Sequence, residues 1–184
     1  MGASELETFQ QQIERVKEEA RELTRGLNES QFNWRPAPDE WSIEECLAHL
    51  TMVGHWELRA IEEAIERGRS RGMTGSGPLH YGTIERFIID MSGPSGKRKF
   101  PAPKPFVPLH GQPVTAILPT FLHVQDMFQL QMQRASGLDL SRIKVATPIS
   151  RFLKMSLGAT FAQATAHERR HIEQARRVRS RLKV

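Results

Sequence analysis

The clearest sign of the fold is the stretch SELETFQQQIERVKEEARELTRGL, residues 4–27. Its apolar side chains recur at alternating steps of three and four residues, which places them on one stripe of an α-helix. They are Leu6, Phe9, Ile13, Val16, Ala20, Leu23 and Leu27. Ser4 and Glu7 predict a capping box at the start of this helix, and charged residues fill its other faces. We therefore expect a first helix with one buried side and one solvated side.

A second long helix is predicted after the proline-containing segment NESQFNWRPAPDEW, residues 28–41. Ser42 and Glu45 form another capping-box pattern, and the helix should run from there to about Arg67. Gly68 is the expected C-terminal stop, because glycine readily adopts the left-handed conformation that ends helices.

Two more long helices are predicted in the second half of the chain. Helical periodicity resumes over residues 113–136, where Pro119 favours a regular start near residue 118, and again from about Lys154 to Leu182. No segment alternates between apolar and polar residues with period two. The sequence thus predicts an all-α fold, most simply an antiparallel four-helix bundle with one long crossover.

The crossover is the segment of about residues 68–112, which holds eight of the thirteen glycines and six of the eleven prolines. Within it, residues 83–91 (TIERFIIDM) are the one stretch that predicts a short helix, and residues 97–105 (KRKFPAPKP) are the most basic. Connections of this length in compact domains are usually functional or poorly ordered. We expect residues 1–184 to form a single domain that carries this Gly/Pro-rich loop.

Composition limits the class of protein. A chain of 184 residues can bury a full core without disulfides or a structural metal, so a bound metal would serve function. The single cysteine cannot form an internal disulfide, and no apolar run approaches the ~20 residues that span a bilayer. The N-terminus lacks the pattern of a signal peptide. A cytoplasmic protein is therefore expected.

The formal net charge of +5 is matched by the last eighteen residues alone, His167–Val184, which hold seven basic and two acidic side chains. We expect these arginines to cover the outer face of the last helix and to pair with the acidic first helix. No DNA-binding motif is present and aromatic residues make up only 7% of the chain, which argues against a nucleic-acid partner.

The stretch that predicts chemistry is TAHERRHIEQARRV, residues 165–178. His167 and His171 lie four residues apart, and by helical rotation they share the apolar face of the last helix. The same arithmetic turns His49 inward on the second helix. One buried histidine is usually a hydrogen-bonded core residue, whereas three that converge match a three-ligand metal site with an open fourth position. That position would bind water and lower its pKa.

Residues 167–171 also match H-E-x-x-H, the zinc-protease signature in which the glutamate is the general base. Such enzymes take a third ligand from well downstream. Only thirteen residues follow His171, and Glu173 is the one acidic residue among them. The metal-binding half of the motif is retained and the protease half is not.

Three short motifs, in their order and spacing, resemble the DinB-like (YfiT-like) four-helix bundle superfamily. They are Trp41-Ser42-Ile43, then Leu47-Ala48-His49-Leu50 with Trp56-Glu57, and finally His167 to Gln174, with Phe32-Asn33-Trp34-Arg35-Pro36 preceding them. The resemblance covers nearly the whole chain. It implies an up-down-down-up bundle whose long loop joins helices two and three.

The resemblance also implies a metal triad of His49, His167 and His171, and a metal-dependent hydrolase or a transferase that uses a low-molecular-weight thiol, commonly as a homodimer. Zinc suits a thiol substrate best, and nickel or iron also suit imidazole ligands. An alternative hypothesis is a non-catalytic metal-binding or stress-response module. The substrate is a small molecule in the first case.

Several other side chains have both a structural and a functional interpretation. His123 and Asp126 either approach the site or lie on the helix surface beside Gln125. Glu45, Glu168 and Gln174 either support the metal ligands or have ordinary helix roles, Glu45 as a cap and the other two as solvated positions. Cys46 is expected to be a buried small hydrophobe, and His55, His80 and His110 are expected to lie away from the site. The three tryptophans either pack the core or form an aromatic wall around a ligand; they are Trp34, Trp41 and Trp56.

Overall fold

The computed structural model describes residues 2–94, 101–147 and 153–182, with side chains from residue 5 onward. Its helices are α1 (Gly2–Thr24), α2 (Glu29–Phe32), α3 (Ile43–Ser70), α4 (Thr83–Ser92), α5 (Val114–Arg134) and α6 (Leu157–Ser180). A 3₁₀ turn spans Lys104–Phe106, and two short strands are β1 (Lys144–Ala146) and β2 (Lys154–Ser156). The chain is predominantly helical, as the sequence predicts.

The four long helices pack against one another: α3 contacts α5 and α6, and α1 contacts the same two helices. The core between them has two apolar clusters. One contains Ile13, Ile61, Phe128 and Phe161, and the other contains Val16, Leu47, Phe121 and Ile172, all of them fully or almost fully buried. Within the part of the chain that the structure describes, no helix is long and apolar enough to cross a membrane.

The predicted apolar stripe of α1 is confirmed, since Leu6, Ile13, Val16, Ala20 and Leu23 are buried. Its predicted ends are wrong. The helix begins at Gly2, before Ser4, because nothing in the first residues interrupts helical backbone. It ends at Thr24, before Leu27, because Gly26 adopts a left-handed conformation with φ +73°.

Helix α3 begins as predicted, with a capping box in which Ser42 Oγ accepts from the Glu45 N–H and the Glu45 carboxylate accepts from the Ser42 N–H. The predicted stop at Gly68 is wrong, because the helix continues to Ser70 and Gly72 (φ +59°) follows it. Gly68 is buried within α3, and the Ile143 side chain lies against it: a Cβ at this position would lie 2.4 Å from Ile143 Cδ1. The glycine therefore leaves room for the Ile143 side chain to pack against the helix.

Helix α5 starts at Val114, four residues before the predicted start near residue 118, and Pro119 lies inside it. A proline at this position removes only the bond to the Thr115 carbonyl, near the helix start, so the helix tolerates it. The Gly/Pro-rich segment contains the predicted short helix, now α4, which packs against α6. Its most basic stretch begins with Lys97, Arg98 and Lys99, which lie outside the described residues.

A two-stranded antiparallel ribbon corrects the prediction of an entirely strand-free chain. β1 pairs with β2 so that Val145 faces Met155, and both of these side chains are buried. Strands of three residues are too short to show a period-two pattern, which explains why the sequence did not predict them. Lys154 accordingly begins β2, and the last helix starts at Leu157 behind the N-cap Ser156.

The basic end of α6 pairs with α1, as expected. Arg176 lies 2.9 Å from the Glu19 carboxylate. Arg179 donates to the Glu22 carbonyl at 2.8 Å, at the C-terminal end of α1 where helix carbonyls lack partners. Arg181 pairs with Glu40 at 2.7 Å. Much of the positive charge that the sequence concentrates here is therefore compensated within the chain.

Candidate metal centre

Three histidines meet where α3 packs against α6. His49 lies in the second turn of α3, and His167 and His171 lie on successive turns of α6. The Nε2 atom of His167 is 3.4 Å from Nε2 of His49 and 3.1 Å from Nε2 of His171. Within the described residues, these three form the one group of at least three potential metal ligands, with all ligand atoms within 4.8 Å of one another. The structure thus brings the three predicted residues together.

The remaining nitrogens of two rings are held by carbonyl oxygens. His49 Nδ1 lies 2.7 Å from the backbone oxygen of Phe106, and His171 Nδ1 lies 3.0 Å from Oε1 of Gln174. A carbonyl oxygen only accepts, so each Nδ1 carries the proton and donates. In the neutral rings, Nε2 of His49 and of His171 therefore presents a lone pair to the centre of the group. This is the tautomer that a metal ligand requires.

Burial keeps the three rings neutral. It lowers the pKa of His49, which is 4% exposed, and lowers the pKa of His171 well below its usual value. Burial, with the nearby His49 and Arg170 as smaller causes, lowers the pKa of His167 to about 3. Neutral imidazoles are the form that binds metal ions.

The group fits a cation better than a network of hydrogen bonds. Nε2 of His49 and of His171 are both acceptors, and His167 Nε2 lies beside each of them. Even as a donor, His167 can give one proton to only one of the two rings at a time. The buried Nε2 lone pair of His49 or of His171 is then without a donor, and a divalent ion bound by all three rings would satisfy it.

Trp41 packs against the apolar cluster that contains Leu47 and also forms a wall of the histidine site, so both of its interpretations hold. Its ring centroid lies 4.8 Å from that of His49 and 5.6 Å from that of His171, where the two rings are stacked. The other tryptophans lie elsewhere: Trp34 is 37% exposed, and Trp56 lines a small cavity beside Glu57. The aromatic wall predicted as an alternative is thus one residue, placed just before the cap of α3.

Gln174 contacts a histidine of the triad, which is the supporting role that the sequence left open, whereas Glu45 caps α3 and contacts none of the three triad imidazoles. The Glu45 carboxylate pairs with Arg35 and lies 3.5 Å from His110 Nδ1. These contacts fix the first turn of α3, one turn before His49. His110 itself is exposed and does not reach the triad.

Glu168 does not lie on a solvated helix face. It is 3% exposed, and one carboxylate oxygen accepts from Gln125 Nε2 at 3.0 Å. Gln125, expected on the surface of the third long helix, is fully buried because it reaches across to this carboxylate. Burial raises the pKa of Glu168 to about 8. A glutamate that faces Gln125 on α5 is not positioned as the general base of the H-E-x-x-H signature.

The other candidate residues lie away from the triad. His123 is exposed, and Asp126 forms an ion pair with Lys17 at 2.7 Å. His55 and His80 are exposed, as expected. Cys46 is fully buried, and burial raises the pKa of its thiol, so it is a packing residue rather than a nucleophile.

The sequence did not reveal one contributor to the site. The Phe106 carbonyl belongs to the backbone of the Gly/Pro-rich segment, and no side-chain pattern marks it. Away from the triad, Glu57 on α3 is buried, and its Oε1 has no hydrogen-bond partner within the described residues.

Comparison with known proteins gives a match to a protein family. A sequence model of the DinB superfamily matches residues 12–175, which include all three histidines. No curated protein and no solved structure matches the chain.

Proposed function

Because the chain belongs to the DinB superfamily, we propose that it binds one divalent metal ion through His49, His167 and His171 and acts as a metal-dependent enzyme. The reaction is either hydrolysis or the transfer of a group in which a low-molecular-weight thiol takes part. The observation that carries this proposal is the convergence of three neutral imidazoles. His167 Nε2 lies 3.4 Å from Nε2 of His49 and 3.1 Å from Nε2 of His171.

Zinc is the proposed metal, and nickel or iron are the alternatives that imidazole ligands also accept. Three protein ligands leave a coordination position for a small molecule, as in catalytic zinc sites. Such an ion supplies Lewis-acid chemistry, which polarises a substrate or activates water or a thiol at neutral pH.

The chain's own residues prepare the site for this role. The Phe106 carbonyl and Gln174 keep the protons on Nδ1 of His49 and His171, so both rings offer Nε2. Trp41 covers the His49 and His171 rings and limits water on that side. A lowered local dielectric strengthens the interactions of charges in the site.

The proposal extends to five properties of the whole chain. Residues 1–184 form one domain, and the long helices follow an up-down-down-up order. The protein is a cytoplasmic homodimer, and its substrate is a small molecule rather than a nucleic acid. The pairing of Arg176 and Arg181 with acidic residues supports the last point.

Metal analysis tests the ligand assignment. We expect the purified wild-type protein, loaded with zinc and desalted, to hold about one ion per chain, and His171→Ala to lose it. His123→Ala is the matched control, because this exposed histidine on α5 should not affect occupancy. Full occupancy in His171→Ala would show that the triad is assigned wrongly.

Activity screening separates the enzyme from a non-catalytic metal-binding or stress-response module. Zinc-loaded protein is incubated with bacillithiol, mycothiol or glutathione and an electrophile, and separately with esters and amides. We expect turnover that exceeds that of free zinc and that His171→Ala lacks. Turnover no faster than free zinc across these substrates would favour the binding module.

A further inference from the structure

A second concave region lies at the other end of α3, where a cleft of about 500 Å³ opens beside the β1–β2 ribbon. Five basic side chains line it together with one acidic residue, Glu63; they are Arg67, Arg71, Arg142, Lys144 and Lys154. Arg71 follows His49 by twenty-two residues of chain, which corresponds to roughly 33 Å along a helix axis. The cleft is therefore separate from the triad.

The fold itself brings these charges together. Arg67, in the last turn of α3, and Arg71, the C-cap residue that follows the helix, lie four residues apart and so lie on the same side of its end. Gly68, between them, lets the Ile143 side chain pack directly against the helix. Lys144 and Lys154 are exposed on the ribbon while their neighbours Val145 and Met155 enter the core, so the two lysines share the ribbon's outer face.

The charges in the cleft are weakly compensated. Its ion pairs are long: 3.8 Å for Arg67 with Glu63, 4.0 Å for Arg142 with Asp139, and 3.9 Å for Lys144 with Glu85. Elsewhere the Arg134–Glu62 pair measures 2.7 Å and the Arg176–Glu19 pair 2.9 Å.

The two remaining cations of the cleft, Arg71 and Lys154, have even less compensating negative charge. Within residues 2–94, 101–147 and 153–182, neither Arg71 nor Lys154 has an ion-pair partner. Holding like charges this close costs free energy, since such pairs are destabilising at helical and cross-strand spacing. A bound anion would offset this cost.

We propose that this cleft binds a small molecule that carries two or more phosphate groups. Arginine forks and lysine ammonium groups are the side chains that hold phosphate oxygens in proteins. The volume lies in the range of small-molecule sites, and the lining also includes the apolar side chains of Ala60, Ala64 and Met73. No aromatic side chain lines the cleft, so it lacks the stacking platform of a single-strand binding groove.

Isothermal titration of the full chain, treated with EDTA, tests the proposal with inorganic pyrophosphate and ADP as probes. We expect saturable binding to one site that weakens as salt is raised. The double variant Arg71→Glu/Lys154→Glu should bind at least about tenfold more weakly, because two charge-assisted contacts become repulsive. The control Arg15→Glu/Arg59→Glu makes the same change in net charge at exposed positions outside the cleft, and should stay within about twofold of wild type.

Further measurements distinguish a nucleotide-like ligand from phosphate groups alone, and test whether the cleft binds independently of the triad. ADP that binds more tightly than pyrophosphate would indicate a nucleotide-like ligand, and equal affinities would indicate recognition of the phosphates alone; both support the proposal. His171→Ala should bind pyrophosphate as wild type does, and the double variant should keep its zinc. If circular dichroism shows that the charge-reversal variant Arg71→Glu/Lys154→Glu does not fold, the neutral variant Arg71→Gln/Lys154→Gln replaces it.

Three outcomes would overturn the proposal. The first is the absence of saturable binding of either probe to the wild-type chain. The second is an equal loss of affinity in the cleft pair and the control pair, which would assign binding to net charge alone. The third is a DNA duplex of twenty base pairs that displaces ADP and binds more tightly than it does, which would assign the cleft to nucleic acid.

Discussion

The two ends of α3 are built on different principles. Near its N-terminus, Glu45 caps the helix and pairs with Arg35, and His49 is buried with its Nδ1–H donating to the Phe106 carbonyl. Near its C-terminus, the Ile143 side chain packs against Gly68, and within the described residues the cations that line the cleft have long ion pairs or none. Polar side chains organise the first end, whereas a tight side-chain contact with a glycine organises the second, where cations face the cleft. Periodicity reveals the first kind of organisation and misses the second.

The largest expected effect comes from filling the close approach at the C-terminal end. Gly68→Val places branched carbons where Ile143 Cδ1 already lies 2.4 Å from an ideal Cβ. Overpacking of this kind costs up to about 3 kcal/mol of the free energy of unfolding. Urea denaturation of the EDTA-treated protein measures it, and zinc occupancy of the folded variant should stay at one ion per chain.

Gly77→Val is the control for this substitution, because nothing lies within 4 Å of a Cβ at Gly77. Its cost should stay within about 0.5 kcal/mol. Equal costs at the two positions would mean that Gly68 is not a site of close packing, and a loss of zinc in the Gly68 variant would mean that the two ends are not independent.

An intermediate effect is expected from Gln174→Ala, which changes the histidine triad near the N-terminal end of α3. The substitution removes the oxygen that holds the proton on His171 Nδ1, so the ring loses its preference for the metal-binding tautomer. Loss of such a supporting contact typically weakens metal binding by about 10- to 100-fold. Competition with a chromogenic chelator measures the zinc affinity.

Gln133→Ala provides the comparison, because Gln133 is exposed on α5. Its zinc affinity should match that of wild type, and both variants should unfold at similar urea concentrations once zinc is removed. A Gln174→Ala protein with wild-type zinc affinity would show that the His171 tautomer does not depend on this contact.

The smallest effect is expected from Glu57→Gln, in the middle of α3. Burial raises the pKa of Glu57 to about 8, so the folded protein binds a proton that the unfolded chain has released. Stability should therefore fall as pH rises from about 7.5 to 8.5, by on the order of 1 kcal/mol from this group. Above pH 7.5 the three buried histidines of the triad are mostly neutral in both the folded and the unfolded state and contribute little slope.

Urea denaturation of EDTA-treated protein at three pH values measures that slope. Glu57→Gln should reduce the slope without removing it, because burial raises the pKa of Glu168 to about 8 as well. The variant should be more stable than wild type at the highest pH. An unchanged slope would mean that Glu57 ionises normally in the folded protein.

The sequence predicted what depends on helical rotation. His49, His167 and His171 were assigned to inward faces by counting residues, and the structure places their Nε2 atoms together. The Ser42–Glu45 capping box was likewise visible, because both of its hydrogen bonds join residues three apart. Local spacing carries this information directly.

What the sequence missed depends on contacts between distant segments. Gln125 looked like a surface residue because its partner, Glu168, lies forty-three positions away on another helix. Gly68 looked like a helix stop because its tight neighbour, Ile143, belongs to a later segment. Strand β1 is three residues long and pairs only with β2, so its own sequence holds too few residues for a periodic signal.

The hydrogen bond from His49 Nδ1 to the Phe106 carbonyl joins the triad to the segment between α4 and α5. Under the proposed function, any interaction that orders the Lys104–Phe106 turn would strengthen metal binding, and metal binding would order that turn by the same free energy, because linkage is reciprocal. Amide hydrogen exchange in this turn would then report metal occupancy at a position that supplies no proposed metal ligand. The Gly/Pro-rich segment would in this way be thermodynamically coupled to the proposed metal site.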